Sequence, residues 1–129
     1  MSLRIVRLGT PRAPDEGLRI GTVRRPPRGV PKAEFAIRDF YDVWLPALAP
    51  TDELLKLGQG AETEAQWATF ARRFAAQLKE PDAAHLLDLL AALSHTAAFA
   101  VGCYCENEAR CHRSVLRLQF EQRGATISN

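Results

Sequence analysis

The sequence predicts a single α/β domain over residues 1–129, a small, mostly parallel sheet flanked by helices. Three observations predict it. Ala97-Ala-Phe-Ala-Val-Gly-Cys103 is a short apolar run without alternation, as expected of a strand buried on both faces of a parallel sheet. Trp67, Phe70, Ala71, Phe74, Ala75 and Leu78 recur at helical spacing and form one apolar stripe. Strand, helices, strand and helix follow one another in that order, which is the pattern of an α/β layer architecture.

The chain opens on a strand from Leu3 to Leu8, its apolar residues interleaved with Arg4 and Arg7. Residues 10–17 are all turn or breaker types, hence a loop, and Leu18–Val23 is a second short strand. Arg24-Arg25-Pro26-Pro27-Arg28-Gly29-Val30-Pro31-Lys32 follows, a stiff basic loop in which three prolines forbid regular structure. Asp39–Leu45 is rich in aromatic and β-branched residues and reads as a strand closed by Pro46 and Pro50. Thr51 caps a helix from Asp52 to Leu57, with Gly58 as its stop. Thr63-Glu64-Ala65-Gln66 has the capping-box spacing at the head of the Trp67–Leu78 stripe. Pro81 starts a further helix, whose predicted stripe is Leu86, Leu89, Leu90 and Leu93. Cys111–Arg123 is the last helix, ended by Gly124, with Cys111, Val115 and Leu118 on one face. The ~5 residues after Gly124 read as a tail without regular structure.

Composition narrows the function classes. With 47% hydrophobic and 25% charged residues the chain is neither disordered nor fibrous. Its 17 basic and 15 acidic residues leave a net charge of +2, too weak by itself to imply nucleic-acid binding. No run approaches the ~18 apolar residues of a membrane span, and charges interrupt the apolar stretch at the N-terminus. The expected location is therefore the cytoplasm. Three cysteines packed within nine positions do not make a secreted disulfide scaffold. Clustered intracellular cysteines are reactive thiols, metal ligands or core residues.

The loop after the buried run carries the chemistry. Ligands in open parallel sheets collect beyond the carboxyl ends of the strands, and Cys103–Arg110 lies at such an end. Strand alternation puts Cys103 and Cys105 on one face. Glu106, Asn107 and Glu108 make a polar turn, and Cys111-His112-Arg113 opens the last helix. The first turn of a helix attracts anions and lowers the pKa of a nearby thiol. In the enzymatic reading, Cys111 or Cys103 is the thiolate and His112 the acid/base. Arg24, Arg28 and Arg113, with Glu106, bind a small phosphate- or nucleotide-bearing ligand. In the rival reading the cysteines are core packing and the arginines alone bind phosphate, on a nucleotide or a nucleic acid. A redox or metal sensor is the third reading. The C-x-C-x5-C-H spacing argues against zinc, because it lacks paired knuckles and adjacent helical residues point about 100° apart. No metal, cofactor or membrane partner is expected. His85 and His95 read as surface residues.

Cys103-Tyr104-Cys105-Glu106, Cys111-His112-Arg113-Ser114, the Arg24–Gly29 loop and Leu48-Ala49-Pro50-Thr51 together resemble the YeaO-like family, domain of unknown function 488, over roughly Leu3 to Gly124. The family pattern has an acid two residues after the first cysteine. Cys105 stands there in this chain, with Glu106 next, and Pro26 stands where many relatives have tryptophan. The resemblance brings no established activity. It implies that the basic loop and the Cys-His-Arg turn belong to one site.

Overall fold

The computed structural model describes residues 1–128. Five parallel strands, β1 (Leu3–Arg7), β2 (Leu18–Gly21), β3 (Val43–Trp44), β4 (Phe99–Cys103) and β5 (Ile127–Ser128), form one sheet in the order β3-β2-β4-β1-β5. The apolar run supplies the central strand: every residue of β4 is buried, between β1 and β2. Four helices accompany the sheet: α1 (Asp52–Gln59), α2 (Glu64–Gln77), α3 (Pro81–Leu93) and α4 (His112–Gln122).

Leu3, Ile5, Ile20, Phe99 and Val101 alternate onto one side of the sheet and share a core with Phe70, Phe74, Leu87, Leu116 and Phe120 of the helices. The opposite side is covered by irregular segments rather than by a second helix layer. There Arg19 donates to the carbonyls of Thr10 and Asp39, and the Tyr41 ring lies directly over Gly21. A Cβ on Gly21 would stand 2.3 Å from Tyr41 Cδ2, so only glycine admits this approach.

The capping box forms: Thr63 Oγ1 accepts from the Gln66 amide, and Gln66 Oε1 accepts from the Thr63 amide. Thr63→Ala is expected to cost ~1 kcal/mol, seen as a lower urea midpoint at unchanged slope.

Several expectations are corrected. Gly58 does not stop α1; the helix runs through it to Gln59 and ends at Gly60. Gly58 lies under Phe70, where a Cβ would come within 2.9 Å of the ring, so its role is close packing of α1 on α2. Of the Asp39–Leu45 strand only Val43 and Trp44 pair. Asp39 has φ 62, and Phe40 and Tyr41 pack edge-on against Tyr104 and Phe35 as loop aromatics. In α3 the predicted Leu90 is buried and Leu86 packs against the core, but Leu89 and Leu93 are exposed; Ala83, Leu87 and Ala91 complete the buried face instead. In α4, Val115, Leu116, Gln119 and Phe120 are buried and Leu118 is exposed. Beyond Gly124 the chain returns to the sheet, and Ile127–Ser128 pairs with β1. No helix among the described residues is long and apolar enough to cross a membrane.

Candidate functional site

Because the strands are parallel, β1, β2 and β4 deliver their carboxyl ends to one edge, with Gly21 beside Gly102. The basic loop leaves β2 there, and the cysteine loop leaves β4. Thr22 ties the two together: its amide and its hydroxyl both donate to the Gly102 carbonyl, each at 3.0 Å. Tyr104 fastens them again, its hydroxyl donating to the Arg25 carbonyl.

A cleft of about 320 Å³ opens between these loops, lined by Arg24, Arg25, Arg28, Cys103, Tyr104, Cys105 and His112 among others. A recess of about 70 Å³ with Trp67, Arg110 and Cys111 in its wall also borders Cys105 and His112. A larger cleft of about 490 Å³ lies beside Pro26, Phe35, Tyr41 and Trp44, but no thiol or imidazole reaches it. Chemistry therefore favours the smaller cleft over the larger one.

Its cationic rim comes from the basic loop. Arg24 is fixed by the carbonyls of Ala49 and Pro50, both at 2.9 Å. Arg25 pairs with exposed Asp52. Arg28 makes no ion pair or side-chain hydrogen bond with any described residue, so its guanidinium is open to a ligand. Arg113 is placed differently: it is buried, donates to the Cys105 carbonyl at 2.5 Å and does not line the cleft. Its Nε is buried with no partner among the described residues. Glu106 points away to solvent, 3.6 Å from Arg7. Thus Arg24 and Arg28 meet Cys103 and His112 at the cleft, Cys111 sits behind them, and Arg113 and Glu106 stand outside.

The thiols are unequal. Cys103 and Cys111 are buried and Cys105 is exposed. Hydrogen bonds to Cys105 and then to Cys111, together with burial, push the Cys103 thiol up, so the proton stays there. Cys105 is held below the ordinary thiol value, first by the hydrogen bond from Cys103, then by that from Cys111, with the Arg113 charge adding to them. The Cys111 thiol is likewise lowered, by Cys103 foremost, with His112 assisting. The two candidate thiolates, Cys103 and Cys111, are both buried, and the thiol facing solvent is Cys105. The signal for it was its place two residues beyond the buried run, where the chain has left the sheet.

His112 is buried and packs edge-on against Phe74, ring centroids 5.8 Å apart. Its Nε2 lies 2.6 Å from the Thr22 carbonyl. A carbonyl only accepts, so Nε2 donates to it and Nδ1 is the ring nitrogen left facing Cys111. That nitrogen lies 3.9 Å from Cys111 Sγ. The expectation that Cys111 and His112 diverge is corrected here. It assumed that both are helical, but Cys111 is the N-cap, with extended backbone at φ −124 and ψ 151, and α4 begins at His112. Cys103 Sγ, Cys111 Sγ and a His112 ring nitrogen consequently lie within 4.8 Å of one another.

Comparison with curated proteins and with solved structures returns no match. A family model does match: DUF488-N3a, described as the active DUF488-N3 subclade, covers residues 3–124. With nearly the whole chain matched, including both loops of the cleft, the protein belongs to the DUF488 family.

Proposed function

We propose that the domain is a thiol-dependent enzyme acting on a small anionic ligand that carries a phosphate, with Cys105 as the thiolate. The observation that carries this reading is the single cleft into which the exposed Cys105 thiol and the unpaired Arg28 guanidinium both open. Arg28 and Arg25 supply the charge for the anion, on a loop stiffened by Pro26 and Pro27 and tied down through Arg24. Little entropy is lost when such a loop engages a ligand. The description of the matching subclade as active supports chemistry rather than binding alone.

Alkylation of the native protein by iodoacetamide tests the proposal, with the modified residue located by peptide mass mapping. Cys105 is expected to react first, and pyrophosphate to slow the reaction. Arg28→Ala should weaken that protection about tenfold, the size of one charge-assisted hydrogen bond. If all three thiols resist alkylation, or pyrophosphate protects none of them, the proposal fails. The independence of the arginine rim from the thiols favours one alternative, a phosphate-binding module without chemistry. In that case Cys105→Ser would retain every activity found for the wild type, not merely its affinity for pyrophosphate.

A further inference from the structure

We propose that Cys103, Cys111 and His112 form a three-ligand site for zinc, with the fourth coordination position turned toward the cleft. The site deepens the reading above, on which it depends only for the use made of that fourth position.

The geometry is close to what the ion requires. Tetrahedral zinc, with Zn–S ≈ 2.3 Å and Zn–N ≈ 2.0–2.1 Å, sets its ligand atoms about 3.5–3.8 Å apart. Cys111 Sγ and His112 Nδ1 are 3.9 Å apart, and all three ligand atoms lie within 4.8 Å of one another. The widest pair has to close by about 1 Å to reach the tetrahedral separation, a small rotation of one cysteine side chain.

The imidazole is already set for coordination. A metal-binding histidine donates its other ring N–H to a carbonyl or carboxylate, which fixes both tautomer and orientation. His112 does this through Nε2 to the Thr22 carbonyl, which leaves Nδ1 as the ring nitrogen on the side of Cys111. The backbone N–H of Cys105 points at Cys103 Sγ across 3.4 Å, a donor suited to a thiolate ligand. All three residues are buried, where two uncompensated thiolates would be costly. A dication with two thiolates and a neutral imidazole has no net charge.

Soft sulfur and imidazole select zinc over magnesium or calcium. Three protein ligands with one open position are the pattern of a catalytic rather than a structural zinc. Cys103 and His112 both line the cleft, so the open position faces the same space as Arg28 and Cys105.

The test uses the full chain, stripped with a chelator and reloaded with zinc or with cobalt(II) as a spectroscopic stand-in. One zinc per chain is expected to survive gel filtration, and cobalt(II) should show a thiolate-to-metal charge-transfer band with tetrahedral d–d absorption. Cys103→Ser, Cys111→Ser and His112→Ala should each weaken binding by at least about tenfold, while the exposed His85→Gln leaves it unchanged. Should the buried variants fail to fold, the wild-type protein still decides. Substoichiometric zinc, or cobalt bound without a charge-transfer band, overturns the proposal. Protection of Cys105 by pyrophosphate, measured in metal-free protein, is a separate result. It can persist without zinc, and zinc can bind where pyrophosphate does not, so the two readings fail independently.

Discussion

Arg19→Met is expected to destabilise the domain by about 3–5 kcal/mol, the cost of leaving one member of a buried ion pair without its partner. Such a loss is a large share of the ~5–15 kcal/mol that holds an ordinary domain together. Arg19 is 1% exposed and Glu16 3%. Their contact is bidentate, Nε to Oε2 at 2.7 Å and Nη2 to Oε1 at 3.0 Å. Nη1 serves the carbonyls of Thr10 and Asp39, and thereby ties two irregular segments to β2. Burial acts to raise the Glu16 carboxyl, but the Arg19 hydrogen bond and the Ala13 amide outweigh it and hold the group below its ordinary value. In the wild type this contribution is present above the unfolded carboxyl pKa and is lost as pH falls through the lower folded value. In Arg19→Met the sign reverses, because an unpaired buried carboxyl is raised and the variant recovers part of its loss when Glu16 takes a proton. Urea midpoints for both proteins from neutral to acid pH measure this. A penalty under about 1 kcal/mol, or one that grows on acidification, would refute the account.

Phe74→Ala is the second large effect, about 3–5 kcal/mol for a fully buried aromatic. For a domain of this size that lowers the melting midpoint by about 10–20 °C. Phe74 is 0% exposed, stacks on Phe70 at 5.9 Å and meets the His112 ring edge-on at 5.8 Å. Its removal empties the core and also takes away the wall that holds the imidazole. The variant is therefore expected to show two changes, a lower thermal midpoint and a shifted His112 resonance. Phe74→Leu keeps most of the volume and should lose less stability, while still disturbing the His112 signal. Equal melting of wild type and Phe74→Ala would contradict this placement of Phe74.

What could be read from the sequence was local. The capping box at Thr63 and the stripe behind it depend on residues within one helix, and the apolar run at Phe99–Cys103 declares its own burial. The failures lay where partners distant in sequence decide. Phe40 and Tyr41 have strand composition, but their rings pack against Tyr104 and Phe35, so the chain turns at Asp39. In α3 the leucines occupy more than one face, and contact with neighbouring elements selects Leu87 and Leu90 over Leu89 and Leu93. Nothing after Gly124 announced that Ile127 would pair with β1. At the site, a basic loop and a cysteine turn were legible as compositions. Whether Cys111 and His112 converge turned on a helix boundary one residue long, below what sequence pattern resolves.

That boundary has a thermodynamic side. Serine, threonine, aspartate or asparagine at an N-cap gives its side-chain oxygen to an amide of the first turn, a gain of about 0.5–2 kcal/mol. Cys111 holds that place in α4 and makes no such bond. In that place sulfur stands 3.9 Å from the imidazole instead. A helix selected for rigidity alone would begin with an oxygen there; under the proposed zinc site, position 111 is a point where durability and chemistry pull in opposite directions.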